Sequence, residues 1–175
     1  MTCSPDPSIL GEIEAARALF EAFGKTMKEQ ASMRRLLFSY DRAIGETHNL
    51  MLQAGVRDGC AACAGQTVGG CCFEGIETGY DRILLLVNLL LNCPLPDQRE
   101  YPGSCLFVGR NGCRLRARYY FCVHYLCPDL QTRLEPAAKT AFRRVVGLEL
   151  AAGWEVECAV RGCLGSAGWQ QVNSS

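Results

Sequence analysis

The chain has 175 residues, 18 basic and 18 acidic side chains and 12 cysteines, with 49% hydrophobic and 21% charged residues. That length and composition describe one globular domain with a sizeable core and exclude a disordered chain. A formal net charge of zero argues against a general polyanion binder, which carries a basic excess, so no nucleic-acid partner is expected.

The N-terminal stretch lacks a basic n-region, and Glu12 and Glu14 interrupt its first apolar run, so it does not read as a secretory signal. Asp6 before Pro7 predicts an N-cap followed by proline at the first helical position. Ile9, Ile13, Ala16, Phe20 and Phe23 recur at three- and four-residue steps, which predicts an amphipathic helix closed by Gly24. A second helix is predicted from Thr26, with Glu29 completing a capping box. Its stripe is Met33, Leu37, Tyr40, Ile44 and Met51, running to about Gly55, with Gly45 placed to kink or split it. The two are expected to pack face to face.

From Cys60 to Cys127 the character changes, and nine of the 12 cysteines fall in this span. One helix is predicted inside it, capped by Thr78 and Asp81 and apolar on nearly every face from Ile83 to Leu91, interrupted by Asn88. Such a helix belongs in a core, and its apolar run is too short for a bilayer, which needs about 20 residues. No membrane partner is expected. Cys93-Pro94 ends it. Cys105-Leu-Phe-Val and Cys113-Arg-Leu-Arg flank Gly109-Arg-Asn-Gly112, a hairpin signal that brings a cysteine on each arm together. After Cys127-Pro128 a last helix is predicted, with Leu134, Ala138, Ala141, Phe142, Val145 and Leu148 on one side. Cys158 and Cys163 follow, then a polar tail expected to fray. The expectation is a mainly α single domain over 1–175, with a helical pair over 6–56, a small irregular cysteine-rich metal-binding lobe with a short β-hairpin over 60–127, and a C-terminal helix and cysteine pair over 129–165.

Chemistry enters through the cysteines. Without an export signal the chain reads as cytoplasmic, where thiols stay reduced and metal explains them better than six disulfides. The even count also admits a disulfide framework under another export route. Cys60-Ala-Ala-Cys63 is a C-x2-C unit that lets two thiolates converge on one ion, and a glycine-bearing loop leads to Cys71-Cys72. Cys105 and Cys113 form the hairpin pair, and Cys122 and Cys127 a third pair. These eight thiols would serve two four-thiolate sites or one cluster with thiols to spare. A C-x2-C also occurs in redox dithiols, but no βαβ pattern surrounds this one. Cys3 and Cys93 read as small buried hydrophobes. Arg110, Arg114, Arg116 and Arg118 surround Cys113 in sequence, either to offset thiolate charge or as the solvated face of an alternating strand. His124 is a candidate to replace one thiolate; His48 reads as a face or packing residue. No serine–histidine–acid arrangement, phosphate loop or paired-carboxylate signature is present.

The order of these features resembles the YkgJ-type cysteine-cluster proteins, a zinc- or iron-chelating family: C-x2-C, a double cysteine, a capped Asp-containing helix, Cys-Leu-Phe followed by Gly-Cys, then an arginine and its cysteine. The resemblance spans about Cys60 to Cys127. The loop between Cys63 and Cys71 is longer than the compact first block of that family, and in Arg118-Tyr-Tyr-Phe-Cys122 the arginine and cysteine match while the proline is lost. The resemblance implies Cys60, Cys63, Cys71, Cys72, Cys105, Cys113, Cys122 and Cys127 as metal ligands, with zinc or iron as the cofactor. The biochemical role of that family is mostly unassigned, and the leading expectation for this chain is an accessory or structural metal-binding protein, with no protein partner named. Some larger relatives look like flagellin lysine methylases carrying an iron–sulfur cluster; this chain shows no separate methyl-donor motif, and that activity is not carried over. An iron–sulfur protein with a redox or modifying activity is the alternative, and a thiol-based redox or metal-storage protein a third reading.

Overall fold

The computed structural model describes residues 6–56, 58–60 and 70–172. It is mainly helical with one two-stranded antiparallel sheet. In chain order the elements are α1 (Pro7–Glu29), α2 (Ala31–Gln53), a 3-10 turn (Ile76–Gly79), α3 (Arg82–Leu90), β1 (Val108–Gly109), β2 (Gly112–Cys113), α4 (Tyr120–His124), α5 (Pro128–Arg133) and α6 (Pro136–Val172).

Asp6 caps α1 as its sequence implies, its side chain accepting from the Ser8 amide at 2.8 Å. Gly24 does not close that helix. The helix runs on to Glu29 because Met27, one turn beyond, is buried in the core, and the Phe20 ring lies over Gly24, where a Cβ would stand 2.6 Å from it. The break comes at Gln30, which is extended with ψ 123, so Thr26 and Glu29 lie inside α1 and form no second N-terminus. Helix α2 passes through Gly45 without interruption and buries Met33, Leu37, Tyr40 and Ile44. The two helices are not each other's main partners. Helix α1 packs chiefly on α3, and α2 chiefly on α6.

Helix α3 is the centre of the core. Asp81 caps it, accepting from the Ile83 and Leu84 amides at 3.1 and 2.8 Å, whereas Thr78 donates to the Gly75 carbonyl within the 3-10 turn. Ile83, Leu84, Leu85, Leu86, Val87 and Leu90 are all buried, each worth about 1.5–3 kcal/mol of transfer free energy as an upper bound. Asn88 sits among them, fully buried and fully bonded. Its amide nitrogen donates to the Leu84 and Ala117 carbonyls at 3.0 and 2.8 Å, and its oxygen accepts from the Arg116 and Ala117 amides, both at 2.9 Å.

The hairpin forms with Val108 opposite Cys113 and Gly109 opposite Gly112, and Gly112 supplies the left-handed backbone (φ 92) the turn requires. The inner face of α6 differs from the predicted stripe. Phe142, Val146, Glu149, Val156 and Val160 are buried, while Leu148 is exposed. Gly153 lies on that face, and a Cβ there would meet the Tyr40 ring at 3.0–3.1 Å, so its lack of a side chain is what lets α2 and α6 approach. Gly165 (φ 55) breaks the helical geometry near the end of α6. The last residues of the polar tail, 173–175, lie outside the described residues. Among the described residues no helix is long and apolar enough to cross a membrane.

Candidate functional site

Four stretches of chain far apart in sequence meet beside Tyr80. Cys71 and Cys72 are docked to the hairpin by backbone pairing: Phe73 bridges Ser104, the Cys105 amide donates to the Cys72 carbonyl at 2.8 Å, and the Glu74 amide to the Gly103 carbonyl at 3.2 Å. Arg99 clamps this junction from below. Its guanidinium, with a side chain 5% exposed, contacts the fully buried Glu77 and the Ser104 carbonyl and reaches Glu74 at 3.3 Å. The Phe107 amide donates to the Cys105 sulfur at 3.4 Å, and the hairpin register carries Cys113 past it. Asn88 pins the Arg116–Ala117 backbone to α3, which directs the following chain into α4 and places Cys122.

These residues wall a cavity of about 730 Å³. Cys60, Cys71, Cys72, Cys93, Cys105, Cys113 and Cys122 line it, together with one face of α2 (Asp41, Ile44, Gly45 and His48). Cys71, Cys72, Cys93, Cys105, Cys113 and Cys122 are free thiols. Tyr80 is buried on the wall they share, edge-on to Phe107 at 4.9 Å between ring centroids.

Burial decides the protonation of most of these thiols. It raises Cys105 to about 12 and Cys122 to about 11. Cys113 is raised as well, its sulfur densely surrounded although the residue reaches solvent on the hairpin. Arg118 and Tyr80 oppose the rise at both Cys113 and Cys122. Within the doublet the thiol–thiol hydrogen bond splits the pair, lowering Cys71 and raising Cys72. The cavity therefore holds one thiol disposed to ionise and several held neutral until a cation compensates them.

Three of the four arginines around Cys113 have acidic partners that sequence proximity hides. Arg116 pairs with Asp41 of α2, and Arg110 with Glu100 at 3.5 Å out in solvent. Arg114 donates to the Gln98 and Leu106 carbonyls at 2.8 and 2.6 Å. Arg118 turns inward to Glu149 of α6, 3.9 Å away and fully buried. Leu115 and Ala117 are buried between them, so the alternation is real although the paired strand stops at Cys113.

Six of the eight predicted ligands, Cys60, Cys71, Cys72, Cys105, Cys113 and Cys122, therefore share one cavity. Cys63 lies outside the described residues. Cys127 is not on the cavity wall: it packs with Val56, Leu130 and Leu134 in a small cluster of which Val56 and Cys60, but not Cys127, also line the cavity. His124 is exposed at the end of α4. Cys158 and Cys163 are exposed on α6. Cys93, read from the sequence as a small buried hydrophobe, is half-buried on the cavity wall; sequence reasoning missed the roles of Tyr80, Asn88 and Glu149, of which only Asn88, a polar break in an apolar run, left a signal.

An all-sulfur donor set suits zinc or an iron–sulfur centre. As the side chains stand, no group of three or more His, Cys, Asp or Glu among the described residues could hold a metal ion. The donor chemistry fits a metal, and the thiols would have to draw inward to close around one. No family model, curated protein or solved structure matches the chain.

Proposed function

We propose that this is a cytoplasmic metal-binding cysteine-cluster protein of YkgJ type, chelating zinc or iron in an accessory or structural role. One observation supports it above the rest: the doublet, the hairpin cysteines and Cys122, from separate parts of the chain, all face one cavity. Cys71, Cys72, Cys105, Cys113 and Cys122 would hold the ion. Bound zinc would supply a structural cross-link between the hairpin, the doublet and α4, and its binding free energy would count toward folding. The same sulfur ligands serve an iron–sulfur centre, the second reading, since ligand type does not separate the two.

The deciding experiment is elemental analysis with an ultraviolet–visible spectrum, on protein purified without oxygen and without a metal-affinity tag. Zinc with no visible band supports the structural chelator. Iron with acid-labile sulfide supports the cluster reading. Protein that carries no metal and takes up neither zinc nor iron on reconstitution overturns both.

A further inference from the structure

The cavity lined by the thiols has, as a whole, the dimensions of a ligand chamber. Its volume of about 730 Å³ falls within the roughly 300–1,000 Å³ of small-molecule sites. Gly45 is the unexplained residue on its wall. It lies in the interior of the unbroken helix α2, where glycine is disfavoured relative to alanine. It neither kinks the helix nor admits a packed neighbour: a Cβ there would meet nothing within 4 Å. What its missing side chain preserves is open volume in the cavity.

Two further features of the wall describe the occupant. Arg118 is a guanidinium with a side chain only 15% exposed. Its contacts among the described residues are long, 3.9 Å to Glu149 and 3.8 and 3.9 Å to the Met51 sulfur. Arg116 is engaged by Asp41 and Arg114 by carbonyls. Arg118 thus makes no short hydrogen bond among the described residues, and a carboxylate matches its planar fork. Phe121 and Tyr125, both on the cavity wall, stack at 4.8 Å and 17° and offer a flat aromatic face.

We infer that the chamber binds a small ring-bearing carboxylate, its carboxylate on Arg118, its ring toward Phe121 and Tyr125, and its body in the space left by Gly45. The inference does not rest on a bound metal.

Benzoate is the probe, titrated by calorimetry and by saturation-transfer NMR into wild-type protein, both metal-free and zinc-loaded. A fragment of this size should bind with a Kd of about 1 mM. Benzamide, which keeps the ring and loses the charge, should bind at least about tenfold more weakly. Gly45→Leu, which fills the chamber from a helical position, should abolish benzoate binding while zinc content and Tm stay at or above wild type. Arg118→Lys should weaken benzoate about tenfold by removing the fork while keeping the charge. Should Gly45→Leu not fold, Phe121→Ala takes its place and should also weaken benzoate. The inference is overturned by wild-type protein that ignores benzoate in both states, by equal binding of benzamide, or by unchanged binding in the chamber-filling or Phe121 variant. Metal content is read separately in each sample, so a protein that binds benzoate but no metal sinks the chelator reading alone.

Discussion

Replacing Asn88 with leucine tests how the site is held together. The two side chains are similar in size and the position is fully buried, so the substitution adds apolar contact while removing four hydrogen bonds. The Leu84 carbonyl keeps its place in the α3 helix, but the Arg116 amide, the Ala117 amide and the Ala117 carbonyl lose the partner that Asn88 gave them. Each buried polar group left unsatisfied costs about 1–3 kcal/mol. Against a gain of about 1–2 kcal/mol from the added apolar surface, three orphaned groups give a net loss of about 1–8 kcal/mol, a large part of the total stability of an ordinary domain. In urea, with a slope of about 2 kcal/mol/M, the midpoint should fall by about 0.5–4 M. The loss should also reach the site, because Asn88 anchors the segment between Cys113 and Cys122: Asn88→Leu should bind zinc more weakly than wild type under conditions where both remain folded. A midpoint within 0.5 M of wild type, with unchanged zinc affinity, would refute the reasoning.

Cys71→Ser and Cys113→Ser should each lower metal content, whereas Cys127→Ser, altering a residue that packs with Leu130 and Leu134 and is not on the cavity wall, should leave it unchanged; elemental analysis of the three variants decides. Metal-free protein should lose stability in alkali. The folded state keeps the Cys105 thiol protonated up to about 12 while the unfolded chain releases that proton at its ordinary value of 9.0, so stability present below pH 9 declines as pH rises toward 12. That residue alone accounts for about 1.4 kcal/mol per pH unit, measurable by urea denaturation from pH 8 upward. Because those neutral thiols must release protons to bind a cation, apparent zinc affinity should rise with pH, and a pH-independent affinity between pH 6 and 8 would exclude them as ligands. Gly153→Leu should cost about 1–3 kcal/mol or more by driving a side chain into the Tyr40 ring, read as a drop in Tm with the far-ultraviolet helix signal retained.

Local features of the fold were legible where local chemistry controls them. The Asp6 and Asp81 caps, the buried α3 and the turn ending in Gly112 each follow from residues within a few positions of one another, and all are present. The misreadings have a common cause. Gly24 and Gly45 read as breaks because glycine weakens an isolated helix, but tertiary burial of Met27 beyond Gly24, and of Ile44 and Thr47 on either side of Gly45, holds the helices continuous. The inner face of α6 was misplaced because it carries Glu149 and Gly153, residues that a hydrophobic count assigns to the outside, while Leu148 lies outside in their place. Partner choice between α1, α2, α3 and α6 is set by such exceptions, and no periodicity within one helix reports it.

The same distinction separates what was readable in the site from what was not. Thiol-rich composition and order named the residues, but their convergence depends on contacts spanning long stretches of chain: Asn88 to Ala117, Arg99 to Glu77 and Ser104, Phe73 to Ser104, Arg118 to Glu149. Most are polar groups buried at the junctions between segments, and buried polar groups persist only when their partners are in place. Each therefore ties the position of a thiol-bearing segment to the integrity of the helical core. Cys127 shows the converse. It continues the cysteine spacing of Cys122, yet among the described residues no polar contact ties it to the cavity, and it packs with Val56, Leu130 and Leu134. Spacing alone thus nominates a ligand, and the buried polar junctions decide which nominees meet.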